Sequence, residues 1–153
     1  MSKMIFAAFA ALLTVGCSNP TETKKETIAD TFPQETRAKD RIDTIFAMAD
    51  AFAMQESRMT EDSVSPCGKY VGCLQISQIM VREANRVLGE ELYSYSDRYD
   101  AGCSYGMFKA VMEYHNPNLD IDKAINLWNE QAPQSYRDNV KAYFYANLEN
   151  FSR

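Results

Sequence analysis

Glu56 stands where a helix would turn it inward. Ile42, Ile45, Phe46, Ala49, Phe52 and Ala53 recur at three- and four-residue spacing, the period of a helix that buries one face. Glu56 lies four residues beyond Phe52 and three beyond Ala53, so it continues that apolar stripe. Burial penalises the charged form of a carboxyl group, and a carboxyl kept protonated near neutral pH is what general-acid chemistry requires. The alternative is a helix that frays at Glu56 and turns the side chain into water; periodicity does not choose between them. Metal chemistry has little to draw on, because His115 is the only histidine and the four cysteines are scattered.

The elements that must position Glu56 follow from the same periodicity. A helix is predicted over 37–56, with Asp43, Thr44 and Asp50 on its polar face. Residues 57–72 lose the pattern and carry Ser65-Pro66, Gly68 and Gly72, which reads as a loop, with Tyr70-Val71 in a short strand or turn at most. A second helix is predicted from about Leu74 to Leu88, with Ile76, Ile79, Met80 and Val87 inward and Gly89 as its stop. A third runs from about Gly102 to Tyr114 and ends at His115-Asn116-Pro117. Asp120 or Asn118 caps a fourth that carries Ile121, Ala124, Ile125 and Trp128. The last begins near Pro133 with Tyr136, Val140, Phe144 and Leu148. The expectation is a small, mainly α domain over 37–153 with a loop-rich segment behind Glu56.

The chain has 153 residues, of which 46% are hydrophobic and 24% charged, which suits one domain and excludes a disordered or multi-span membrane protein. Lys plus Arg number 16 against 21 Asp plus Glu, for a net charge of -5 without a long basic run, so nucleic acid is not an expected partner. Residues 1–16 carry Lys3 and then an apolar run from Met4 to Val15, too short to span a bilayer stably but the length of an export signal's apolar core. Leu13-Thr14-Val15-Gly16-Cys17 resembles a bacterial lipobox, whose cysteine is lipidated and becomes the mature N-terminus; Thr14 departs from the usual Leu. The alternative is an ordinary secretory signal with Cys17 as a bystander. Residues 17–36, polar and poor in apolar groups, would form a flexible tether to the membrane. Export permits oxidation, so one pair among Cys67, Cys73 and Cys103 could be bridged, but the sequence does not choose which.

Three short blocks carry a resemblance. Gln55-Glu56-Ser57, then Ser65-Pro66-Cys67-Gly68, then Gly72-Cys73-Leu74-Gln75-Ile76 resemble the signature of the soluble lytic transglycosylases, members of the lysozyme-like superfamily. In that family an E-S pair ends a helix, S-P-x-G follows in the loop, and G-x-x-Q-[IL] opens the next helix. The gap between Gly68 and Gly72 is one residue longer than the family pattern. Trp128-Asn129 resembles the family's late aromatic-Asn pair, although the glycine that usually follows is replaced by Glu130-Gln131-Ala132-Pro133. Tyr136 and Val140 fit its closing helix. The resemblance spans about residues 40–150.

The resemblance implies a lysozyme-like α+β fold, a peptidoglycan substrate and no cofactor, and the lipobox reading would hold the enzyme at the cell envelope through Cys17. It makes Glu56 the catalytic acid and base, which protonates the glycosidic oxygen and then takes the proton from the muramoyl C6 hydroxyl as C6–O closes on C1. Ordinary glycosidases use two carboxylates, whereas this chemistry needs one. No Asp or Glu lies between Asp62 and Glu83, although folding could bring Asp97 or Asp100 across. By position, Ser57 would be a substrate-binding residue beside Glu56, Ser65 and Gln75 would hydrogen-bond sugar, Trp128 would flank the cleft and Asn129 would contact a sugar. Tyr114 and Tyr136 would serve as sugar platforms if exposed and as core otherwise, and core packing also accounts for Trp128. His115, in a turn, reads as merely solvated. Competing readings are a muramidase that hydrolyses the same bond, a glycan-binding lipoprotein without turnover, and a purely structural lipoprotein.

Overall fold

The computed structural model describes residues 34–151, and the proposed signal, Cys17 and most of the tether lie outside them. Five α-helices make up most of this region: α1 (Gln34–Ser57), α2 (Gln78–Leu88), α3 (Ala101–His115), α4 (Ile121–Trp128) and α5 (Gln134–Phe151). A 3-10 helix, Tyr95–Tyr99, precedes α3, and Val71 makes isolated antiparallel bridges to Val64 and Ile76. The mainly α architecture expected from periodicity is therefore present.

α1 is the central element, packed most extensively against α5 and also against α3. Its second half is buried nearly all round: Ala47, Met48, Ala51, Phe52 and Ala53 are each fully inaccessible. The four alanines in 47–53 make this possible, because small side chains let neighbouring helices approach on more than one face. Ile42 and Phe46, expected in the buried stripe, are instead exposed, with Phe46 stacked on the Tyr105 ring.

The loop behind α1 is tied down by backbone rather than by a core of its own. Val71 and Ile76 exchange both backbone hydrogen bonds, at 2.8 and 3.3 Å, and both side chains are buried. Ile76 therefore belongs to the loop, and α2 starts at Gln78, four residues later than predicted. Ser77 sets that start by accepting the Met80 N–H in its side chain. The shift rotates the helix: Val81, Ala84 and Asn85 face inward while Ile79 is 70% exposed. Gly89 closes α2 in the left-handed conformation, as its sequence position suggested. Of the two candidate caps for α4, Asp120 is the one used, and it accepts the Lys123 N–H.

Arg98, which no sequence pattern singles out, is buried and fastens the loop to the 3-10 helix. Its guanidinium donates to the carbonyls of Tyr95, Lys69 and Ile76, while its own carbonyl accepts the Ser104 hydroxyl. Gly72 passes directly beneath: at φ +79°, a Cβ there would overlap the Arg98 carbonyl oxygen. His115 is not merely solvated. Its Nε2 pairs with Glu83, joining the end of α3 to α2.

Candidate functional site

The end of α1, the following loop, the start of α2 and the end of α4 enclose a cleft of about 410 Å³. Glu56, Trp128, Asn129, Ser65, Tyr70 and Gln75 line it. Ile76, Ser77 and Met80 complete the lining. Glu56 is the only acidic residue among these nine.

Two donors converge on a single oxygen of Glu56. The Tyr136 hydroxyl donates to Oε1 at 2.6 Å and the Trp128 indole N–H donates to the same atom at 3.1 Å. Glu56 Oε2 takes no hydrogen bond from the described residues. Burial, followed by the charge and hydrogen bond of Glu56, pushes the Tyr136 phenol far above its ordinary range, so it remains a donor at any working pH. Helix α1 does not fray at Glu56; it continues through Ser57, and the carboxylate is half-buried.

Trp128 combines the two roles that the sequence left open. Its ring packs on Phe52 and Phe108, each at a centroid distance of 5.3 Å, while its N–H reaches the carboxylate. Because Phe52 sits one turn before Glu56 on α1, this aromatic cluster fixes both donor and acceptor in relative position. Asn129, just past α4, is exposed in the cleft, and its side chain makes no hydrogen bond with the described residues. Tyr70 presents a half-exposed ring to the same space.

Ser65 and Gln75 do line the cleft, but their polar atoms are largely engaged in shaping it. The Ser65 hydroxyl accepts the Tyr70 N–H at 3.0 Å. Gln75, itself at φ +49°, donates its side-chain N–H groups to the carbonyls of Ser63 and Gly72. Its carbonyl oxygen remains for a ligand. Two expected site residues lie elsewhere. The Ser57 hydroxyl donates to the Cys73 carbonyl at 2.7 Å and accepts the Thr60 N–H, so it pins the returning loop to α1 and does not face the cleft. Tyr114 is exposed near the end of α3, with its ring against His115 and beneath the Arg86 guanidinium, away from the cleft lining.

The possible second carboxylates are also accounted for. Asp97 accepts the Ser94 N–H and hydroxyl, and Asp100 caps α3 by accepting the Cys103 N–H, which holds the Asp100 carboxyl below its usual range. Neither lines the cleft. Cys67, Cys73 and Cys103 are free thiols, exposed, buried and partly buried respectively. Among the described residues, no group of three or more His, Cys, Asp or Glu converges.

Tyr136 was legible as a fit to the closing helix and as a sugar platform or core residue, not as the partner of Glu56. Tyr70, Ser77 and Met80 carried no sequence signal for the cleft. No family model, curated protein or solved structure matches the chain.

Proposed function

We propose that the protein is a lytic transglycosylase of lysozyme-like fold, which cleaves the β-1,4 bond between N-acetylmuramic acid and N-acetylglucosamine in peptidoglycan. The observation that carries the reading is a lone carboxylate, held by two donors on one oxygen and open to a cleft on the other. Protonated Glu56 delivers its proton from Oε2 to the glycosidic oxygen as the C1–O bond breaks. The resulting carboxylate, stabilised by Tyr136 and Trp128, then accepts the proton of the muramoyl C6 hydroxyl. The C6 oxygen forms its bond to C1, and the sugar ends as a 1,6-anhydro ring. Glu56 returns to its starting state, so no water is consumed and no second carboxylate is required. The aromatic surface of Tyr70 suits a sugar face, and the free amide of Asn129 suits an N-acetyl or hydroxyl group. On this reading the enzyme is exported and tethered to a membrane of the cell envelope through lipid on Cys17.

The test is digestion of purified sacculi, followed by mass spectrometry of the products with and without borohydride. Expected products end in 1,6-anhydro-muramic acid, resist reduction and weigh one water less than hydrolysis products. Glu56→Gln keeps the shape but cannot exchange a proton, and should lower turnover by about 10²-fold or more. Reducing ends as the main product would replace this reading with a muramidase. A Glu56→Gln protein that retains a tenth of wild-type activity would remove Glu56 from the mechanism.

A further inference from the structure

The two donors on Glu56 Oε1 come from different helices. Trp128 is the last residue of α4, Tyr136 lies in the first turn of α5, and residues 129–133 join the two. Both donors reach one oxygen, at 3.1 and 2.6 Å, so the end of α4 and the start of α5 must be held relative to each other to roughly a few tenths of an ångström. Ile121, Ile125 and Val140 bury the two helices against the core. Burial is non-directional and does not by itself set that spacing.

Arg137 supplies the directional part. It follows Tyr136 on α5, and each of its guanidinium nitrogens donates to a different residue of α4 or of the connecting turn. Nε bonds the Ala132 carbonyl at 3.0 Å, Nη1 the Asn126 side-chain oxygen at 2.7 Å and Nη2 the Glu130 carbonyl at 3.2 Å. A guanidinium is planar and presents its donors in a fixed fork, so acceptors on three residues define a position and not only a distance. Arg137 forms no ion pair with a described carboxylate, and its charge-assisted hydrogen bonds all go to neutral acceptors.

These acceptors bracket Trp128 and Asn129. Asn126 precedes the indole on α4, and Glu130 and Ala132 follow Asn129 in the turn. The bracketed segment is itself stiff: the Asn129 N–H bonds the Ile125 carbonyl at 2.8 Å, and the Ala132 N–H bonds the Asn129 carbonyl at 3.0 Å. A second polar tie joins the same helices, from Lys141 to Asp122 at 2.6 Å. It holds the first turn of α4, at the end away from Trp128.

We propose that Arg137 is a positioning residue for Glu56. It clamps the end of α4 to the start of α5, so that the indole N–H and the phenol meet on one carboxylate oxygen. Arg137 neither bonds Glu56 nor lines the cleft, and it acts through Trp128 and Tyr136. Its part in turnover rests on the function proposed above, whereas its part in the geometry does not.

Trp128 is the only tryptophan, so its indole N–H gives a single signal in a proton–nitrogen correlation spectrum and reports its own hydrogen bond to Glu56. Glu56→Ala removes the acceptor and supplies the signal of an unbonded indole. Arg137→Met removes all three donors and keeps an apolar stem, and its indole signal should move from the wild-type position toward that of Glu56→Ala. On soluble peptidoglycan strands its kcat should fall about tenfold or more, with KM changed less than kcat. Lys141→Met breaks the other tie and should leave both the signal and kcat at their wild-type values. Asn126→Ala, at an exposed position, removes one acceptor and should move the signal in the same direction by less. A wild-type signal in a folded Arg137→Met protein, or in Asn126→Ala should Arg137→Met not fold, would overturn the clamp. Equal displacement by Lys141→Met would also overturn it, because any loosening of the helix pair would then suffice. A displaced signal with wild-type kcat would remove Arg137 from the reaction. A displaced signal with no turnover by any form, wild type included, would keep the clamp and remove the transglycosylase reading.

Discussion

Replacing Gly72 with Ala tests whether the candidate cleft depends on one close backbone crossing. Gly72 sits at φ +79°, and its missing Cβ leaves room for the Arg98 carbonyl oxygen. An L-residue forced into the left-handed region costs about 1–2 kcal/mol. The methyl group must also displace the backbone of a buried residue, and overpacking of that kind costs about 1–3 kcal/mol. Together the losses come to roughly 2–5 kcal/mol, since the Arg98 backbone is held by the Ser104 hydroxyl and cannot retreat freely. At about 3–6 °C per kcal/mol for a domain of this size, the melting temperature should fall by on the order of 10 °C or more. Gly68→Ala is the matched control, because Gly68 has a similar φ of +70° but no atom within 4 Å of an added Cβ. It should cost only the conformational part, about 1–2 kcal/mol. Thermal melts followed by circular dichroism at 222 nm measure both variants. Equal losses at the two positions would refute the crossing as a stabilising contact and leave only the cost of positive φ.

Tyr136→Phe removes one of the two donors on Glu56 Oε1 without opening a large cavity, and turnover should fall about tenfold to a hundredfold with the fold retained; unchanged turnover in sacculus digestion would show that the phenol takes no part. Glu83 is held at about 2 by hydrogen bonds from Arg86 and then His115, so its contribution is present above its unfolded value near 4.5 and is lost as pH falls through about 2. Because these partners lie at the surface, Glu83→Gln should cost no more than about 1 kcal/mol at pH 7, with the difference shrinking as urea titrations are moved from pH 4.5 toward 2; a difference that grows on acidification would reverse the assignment. Cys17→Ala should leave the protein unprocessed or released from membranes, and a variant processed and sedimenting with membranes like wild type would show that lipid on Cys17 is not the anchor.

The helices were readable where one apolar face meets one neighbour. α3, α4 and α5 fall within a residue or so of their predicted starts, because Asp100 and Asp120 cap two of them and Pro133 precedes the third. α1 was found by its period, yet that period misplaced Ile42 and Phe46: a helix enclosed on several sides no longer reports burial through a single stripe. The start of α2 failed for a different reason. Ile76 has helical spacing with Ile79 and Met80, but Gln75 at φ +49° and the Val71–Ile76 bridge take it out of the helix. Hydrophobic spacing cannot distinguish a buried turn from the first turn of a helix when both place apolar side chains in the same core.

The candidate site divides along the same line between local and long-range information. Glu56, Ser65 and Gln75 lie within twenty residues of one another, in the short blocks whose resemblance to a known signature implied one cleft, and all three line it. The hydrogen bonds that hold the carboxylate span 72 and 80 residues, from Trp128 and Tyr136, and depend on how α4 and α5 return against α1. An aromatic ring on an amphipathic helix is ordinarily core, so composition gives no sign that its polar edge meets an acid. Tyr136 makes the case most clearly: its ring position is set by burial, while its hydroxyl is fixed in the protonated state by that burial and by the charge of Glu56. The packing that stabilises the closing helix is thus the same packing that delivers a permanent donor to the carboxylate, and a substitution at Tyr136 separates the two roles only if it keeps the ring and removes the oxygen.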